Sequence, residues 1–480
     1  MEKPNPRPSA PGKGATGNYG AWALALIIGS LFVVLLSLLL PRHTASHSAS
    51  NSANAPSQST VASGPGASAH RPHMSRGFSG ASGFTQSPEE IVAGKVTQFA
   101  QSRLKIAHAM AERFKVSVAP DVERFFAAVA AGRWDELNAD FKALRERRTS
   151  GKSEDLGMLW GPILETQLIA ECAHDWPAQQ LLDYGQATLG SLQPGMVYVG
   201  GTDPGRGIPT LLNATSDGEQ HVVITQNGLA DNSYLRYLDF LYGDRVSTLT
   251  QADSQKAFQD YIADAQKRLA HDQQFPDEPK QIRPGESITA DADGHVQISG
   301  QVAVMGINEK LLTAFMTKNP DLSFGVEESF PLKSTYANAV PLGPLMQLGV
   351  QDVQNTFTSD TASQVVNYWS DTAQQLLAEP DTSTDSLVSL TYSKMAAAQA
   401  SLLADHNFND QAEQAYRTAL QICPFSPEAV YGLGQLLANT GRSDEARQLI
   451  ANFQRDYPNL NKGPAPPVWT ATAAAAPAHP

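Results

Sequence analysis

Residues 196–207 read MVYVGGTDPGRG. Met196-Val197-Tyr198-Val199 is a short apolar run preceded by Pro194-Gly195, the signature of a buried strand bounded by a turn. A glycine-rich loop, Gly200 to Gly207, follows, and a helix is expected from Ile208. The same order of features then recurs. His221-Val222-Val223-Ile224 is a second apolar run, Thr225-Gln226-Asn227 a second loop, and Ser233 to Tyr242 a second helix. Strand, loop and helix twice over predict βαβ units and a parallel sheet. Further along, helices are expected near Ser254 to Leu269 and Asn308 to Met316. Strands are expected at Val296-Gln297-Ile298, at Ser323 to Glu327 and at Leu345 to Val350. Residues 186–350 are therefore read as a central α/β domain.

In a parallel sheet, ligands sit beyond the carboxyl ends of the strands, where the Gly200–Gly207 loop falls. Glycines allow close backbone approach, and the start of the following helix favours an anion. Gly201, Thr202, Asp203, Gly205 and Arg206, with Gln226 and Asn227 at the neighbouring strand end, are the candidate ligand-binding residues. Arg206 can pair with a phosphate or carboxylate, and Asp203 can accept from a sugar hydroxyl. The loop has the first half of GxxxxGK[ST], but Arg206 and Gly207 replace Lys and Ser/Thr, and it is not GxGxxG. Two readings therefore stand side by side: a site for a small sugar or phosphate ligand, and a tight turn in which Asp203 caps the helix and pairs with Arg206.

Other constellations are poorer. There is no Gly-x-Ser-x-Gly or Ser-His-Asp arrangement. Glu327-Glu328 follows a strand, but adjacent strand residues face opposite sides, so a strand-end charge pair is the expected role. Cys172 and Cys423 are the only cysteines, too far apart for a disulfide framework or a Cys-x-x-Cys motif, and both are expected to be buried. Catalytic residues, metal ligands and cofactors are assigned to none. The sequence names no reaction and weighs against an enzyme.

Ahead of the α/β region, Ser87-Pro88-Glu89-Glu90 is a capping box with Pro at the first helical position. Val92, Val96, Phe99, Ile106 and Met110 then recur at helical spacing. Asp121 opens a second helix and Gly132 breaks it before WDELNADFKALRERR, an αα-hairpin pattern. With a further helical stretch from Leu156 to Leu182, residues 88–185 are expected to be all-helical.

The C-terminal part repeats. Ala412, Tyr416, Ala419 and Pro424 are followed 34 residues later by Ala446, Ile450, Phe453 and Pro458 at the same relative spacings. A small residue lets two helices approach, the large one fills the next layer, and Pro ends the second helix. Period and pattern resemble the tetratricopeptide repeat, which implies paired helices and a protein partner. Residues 351–460 are read as a helical region with such repeats, although Gln399 and Ala400 stand where the first repeat should carry Leu and Gly. Two repeats rarely fold alone, so these should pack on the α/β domain or on the Tyr368-Trp369 region. Residues 461–480, rich in Pro and Ala, are read as a disordered tail.

Ala21 to Leu40, AWALALIIGSLFVVLLSLLL, holds twenty residues without a charge, long enough to span the roughly 30 Å hydrocarbon core as a helix. A cleaved signal peptide is the rival reading, but its apolar region is usually about 7–15 residues long, and Pro41-Arg42-His43 stands where cleavage should occur. Lys3, Arg7 and Lys13 precede the span against Glu2 alone, which favours a cytoplasmic tail at 1–20 and a body on the far side, periplasmic in a bacterium. Residues 41–87, dominated by Ser, Ala, Gly, Pro and Asn, are read as a disordered linker. Residues 1–76 carry a net +5 (Lys3, Arg7, Lys13, Arg42, Arg71 and Arg76 against Glu2). The chain as a whole is −13, so the part from Gly77 onward carries −18, which argues against nucleic acid.

From Leu168 to Gly349 the chain also resembles a soluble domain of uncharacterised bacterial proteins. There, Gly-Thr-Asp-Pro-Gly-Arg is followed by Thr-Gln-Asn-x-Leu-Ala-Asp-x-x-Tyr, here Thr225 to Tyr234. More distantly it is similar to the extracytoplasmic domain of O-mannosyltransferase-like multi-span membrane proteins, which has an acidic loop after its first strand. The departures are Gly207, where an aromatic is expected, and Gly218-Glu219-Gln220-His221, where Arg-Pro-Asp-Val is expected. The multi-span portion where glycosyl transfer would occur is not in this sequence. The resemblance implies the fold and a bacterial envelope setting. The expectation is thus a membrane-anchored extracytoplasmic scaffold or binding protein, with a sugar- or phosphate-binding or glycosyl-transfer-related domain as the alternative.

Overall fold

A computed structural model describes residues 86–458 except 152, 284, 291–295, 328–335, 380–381 and 385. The expected span Ala21 to Leu40, the linker before residue 86 and the tail beyond 458 lie outside the described residues. Among those described, no helix is long and apolar enough to cross a membrane.

The capping box at Ser87 forms as its sequence requires. Ser87 Oγ accepts from Glu90 N at 3.2 Å, and the Glu90 carboxylate accepts from Ser87 N at 3.0 Å. Helix α1 (Pro88–Phe114) then packs on α2 (Pro120–Ala130) and α4 (Glu154–Asp175), with α3 (Trp134–Thr149) beside α2. Their shared core holds Met110, Phe125, Phe126, Leu144, Leu159, Trp160 and Ile163. The stretch expected as one helix from Leu156 to Leu182 is two, because Pro177 ends α4 and starts α5 (Ala178–Leu189).

Five strands form the main sheet, in the order β2-β1-β5-β7-β6. These are β1 (Val197–Gly200), β2 (Val222–Thr225), β5 (Phe324–Val326), β6 (Val340–Leu342) and β7 (Leu345–Leu348). β1 runs parallel to β2 and to β5, while β7 is antiparallel to β5 and to β6. The sheet is therefore mixed, which corrects the parallel sheet expected from the βαβ pattern. The reason is local. Gly343, at φ 59°, and Pro344 make a two-residue turn between the paired Leu342 and Leu345, and a hairpin needs no crossover helix. Val296–Ser299, expected in the sheet, is instead β4 of a separate hairpin with β3 (Ser287–Ala290).

α6 (Asp203–Ala214) connects β1 to β2; α7 (Asn232–Tyr242), α8 (Gln251–Gln274) and α9 (Gln301–Lys318) lie between β2 and β5 in sequence. α4 packs against both α6 and α7, so the N-terminal helices cover the sheet's own helices directly. After a short helix α10 (Val353–Thr356) come α11 (Ser359–Ala378), α12 (Leu387–Asp405), α13 (Asn409–Ile422), α14 (Pro427–Asn439) and α15 (Ser443–Asp456). The last four form two helical hairpins, α12/α13 and α14/α15, stacked through α13 and α12 on α14. The molecule is mostly helical around a small mixed sheet, with helical repeats at its C-terminal end.

The repeat positions do what their sizes predict. Ala412, Ala419 and Ala446 are buried, and so are the larger Tyr416 and Phe453. A ring of ion pairs ties α13 to α15: Glu413 and Glu445 each bind both Arg417 and Arg442 at 2.6–2.9 Å.

Candidate functional site

β1 joins α6 to reach β2 on one side, while β5 lies on its other side, so the chain changes direction between β1 and β5. That is the place where open α/β sheets bind ligands. Only Gly201 and Thr202 separate β1 from α6, so most of the Gly200–Gly207 stretch, read as loop with a helix from Ile208, is already the first turn of that helix. Thr202, not Asp203, is the cap: its Oγ1 accepts from Gly205 N at 2.9 Å.

The anion position at this helix start is filled by the chain itself. Glu327 follows β5 and continues its ladder through a bond from its N–H to Val199 O at 2.9 Å. Its side chain, with no solvent exposure, accepts from Gly201 N at 2.9 Å and Thr202 N at 2.8 Å on Oε2, and from Thr202 Oγ1 at 2.7 Å on Oε1. Gly205 is required by this contact, since a Cβ there would lie 2.1 Å from Glu327 Oε2. Likewise a Cβ at Gly207 would lie 2.7 Å from Cys172 Sγ. The glycines thus admit the protein's own carboxylate and thiol. Burial raises the Glu327 carboxyl above its ordinary value, against the opposing pull of the Thr202 and Gly201 donors and of Lys394.

The remaining candidates divide. Arg206 donates to Asp203 at 2.6 Å; Asp203 is half exposed, whereas Arg206 is largely covered and its Nε is buried without a hydrogen-bond partner. Asn227 accepts from Asn308 Nδ2 at 2.9 Å, which turns it towards α9. Gln226 is buried, and its side-chain oxygen has no partner. Gly201, Thr202 and Gly205 therefore converge on Glu327, Asp203 and Arg206 sit on the outer side of the helix start, and Asn227 is held elsewhere. The contact with Gly201 and Thr202 takes the place of the strand-end charge pair expected at Glu327-Glu328, and Glu328 lies outside the described residues. What hid the role of Glu327 is strand order, because only the pairing of β1 with β5 brings it to the loop. Among the described residues, no group of three or more His, Cys, Asp and Glu side chains is placed to hold a metal ion.

The repeats meet the sheet next to this place. Lys394 on α12 pairs with Glu428 at the start of α14 at 3.4 Å, and Glu428, with Glu327 and Asp203 further off, holds its ammonium above the ordinary range. Tyr392 on the same helix meets Tyr184 edge to face at 5.5 Å. Gln399, where the repeat pattern expects Leu, is fully buried. Its Oε1 accepts from Trp369 Nε1 at 2.9 Å, and its Nε2 donates to the carbonyls of Gly343 and Leu345 at 2.7 Å each. The departure from the repeat pattern is thus the joint that fastens α12 to the β6–β7 hairpin and to α11.

With its junction face consumed, α12 is buried along most of its length, whereas α14 keeps an open stripe. Glu428, Tyr431, Gln435 and Asn439 recur every three or four residues and are exposed or half exposed. Comparison with known families agrees with this geometry: residues 403–469 match the tetratricopeptide repeat. The matched stretch is a tetratricopeptide repeat region, a module that generally binds protein partners. No curated protein and no solved structure matches the chain.

Proposed function

We propose that the chain is a membrane-anchored scaffold whose body lies outside the cytoplasm and whose second repeat holds a protein partner. The observation that carries the docking part is the open stripe Glu428-Tyr431-Gln435-Asn439 on a repeat that matches its family, beside a first repeat closed by the sheet. The anchoring part rests on the uncharged run Ala21 to Leu40 and on Lys3, Arg7 and Lys13 ahead of it.

Gln435→Arg combined with Asn439→Arg places two cations on the open stripe without touching the buried joint. The expected result is at least a tenfold drop in partner recovered by crosslinking and affinity capture, about 1.4 kcal/mol or more, with the melting temperature unchanged. The same partners at the same yield would remove the proposal. For topology, a periplasm-active reporter fused after residue 480 should be active and a cytoplasm-active one silent. The reverse pattern would reject the orientation, and release of the body by washing membranes would reject the anchor.

The alternative, a sugar or phosphate ligand at Gly201 to Arg206, requires the ligand to compete with Glu327 for the Gly201 and Thr202 N–H groups. Asp203 and the outer edge of Arg206 are the parts a ligand can reach without that exchange. If they bind one, Arg206→Ala should weaken it by about 1.5–3 kcal/mol, as expected for a charge-assisted hydrogen bond. A flat thermal-shift screen of sugars and nucleotide sugars leaves the scaffold alone.

A further inference from the structure

A cavity of about 320 Å³ opens between the end of α1, the outer face of α7 and the first turn of α8. Its volume falls at the lower end of the range for small-molecule sites, roughly 300–1,000 Å³. The floor is apolar, formed by Phe114, Leu235 and Leu249, the last two almost fully buried. Asn232, Leu235, Arg236 and Asp239 occupy one helical face of α7, so the cavity runs along that face.

The rim carries two guanidinium groups, Arg113 and Arg236, among side chains that both donate and accept hydrogen bonds. Asp239 is the single carboxylate in the lining, and it faces Arg113 at 3.4 Å. Arg236 makes no hydrogen bond or ion pair with any described residue, and neither do the side chains of Asn232, Thr248 and Gln251, all of which line the same space. A guanidinium is charged at every physiological pH and offers five donors. Arg236 and its neighbours Asn232 and Gln251 are exposed at the mouth of this concavity, where an oxyanion can replace the water that solvates them.

We propose that this cavity binds a phosphate monoester with a small apolar body, the phosphoryl group held by Arg236, Arg113 and the polar rim, and the body resting on Phe114, Leu235 and Leu249. The site is independent of the repeats and of the Glu327 contact.

The test is calorimetric titration of the full-length protein at fixed ionic strength with phenyl phosphate, inorganic phosphate and benzyl alcohol. Phenyl phosphate should bind saturably and more tightly than inorganic phosphate, and benzyl alcohol should not bind. Arg236→Gln should weaken phenyl phosphate at least about tenfold, since a charged hydrogen-bonding partner is lost. Arg245→Gln removes a guanidinium that rests on Tyr242 outside the cavity lining, and should leave the affinity as it was. Absence of saturable binding to the wild-type protein, or equal affinity in Arg236→Gln, would overturn the proposal. Equal binding of phenyl phosphate and inorganic phosphate would overturn the role of the apolar floor.

Discussion

Glu327→Ala should be among the most damaging single substitutions in the chain, costing roughly 3–5 kcal/mol, because it strands the Gly201 and Thr202 N–H groups and takes the acceptor from the Thr202 hydroxyl, which keeps only the bond it accepts from Gly205 N. Glu327→Gln is expected to behave differently. An amide can accept from Gly201 and Thr202 through its oxygen and donate to Thr202 Oγ1 through its nitrogen, so the three contacts survive while the buried charge is removed. Its stability at neutral pH should equal or exceed that of the wild type. Chemical denaturation of the two variants checks both statements, and a Gln variant as unstable as the Ala variant would show that the charge itself is needed.

The pH dependence has a definite sign. Burial holds the Glu327 carboxyl above its ordinary 4.5, so between that value and its folded value the native state carries the extra proton. Stability from this group is therefore present below the unfolded pKa and is lost as pH rises through the folded one. Lys394, Tyr184 and Tyr198 are the other titratable groups that act on it, and each keeps its proton across that window. The melting temperature of the wild type should fall relative to Glu327→Gln as pH is raised from about 4.5. Parallel curves for the two proteins would mean that Glu327 is ionised throughout.

The second large effect is expected at Gln399. Gln399→Leu restores the residue that the repeat pattern favours, yet it should destabilise the protein. It leaves the Trp369 indole N–H and the carbonyls of Gly343 and Leu345 without a side-chain partner, at roughly 1–3 kcal/mol for each group that stays buried and unpaired. Cooperativity should fall as well, with the repeats and the sheet melting less tightly together than before. A Leu variant that melts higher than the wild type would show that the joint is an ordinary repeat position.

Several of these features were open to reading from the residues alone, for stated reasons. The capping box at Ser87, the 34-residue spacing of Ala412 and Ala446, and the strands at Val197 and Val222 are local, and local rules describe them. What escaped depends on pairing across the chain. The β6–β7 hairpin reverses the sheet through Gly343 and Pro344, a turn the apolar pattern did not reveal. The cap falls on Thr202 and not on the expected Asp203 because both residue types cap well and local sequence does not separate neighbours. The glycines at 205 and 207 are there for space, but the groups that need the space, Glu327 and Cys172, are far away in sequence. Gln399 looked like a flaw in the repeat because its partners belong to the sheet and to α11.

Amide hydrogen exchange of the full-length protein with and without its captured partner tests the central claim most directly. The account predicts slowed exchange along α14, at Glu428 to Asn439, with α12 and the Gly200–Arg206 segment unchanged. Protection confined to Gly200–Arg206, with α14 indifferent, would contradict it and move the function to the strand end.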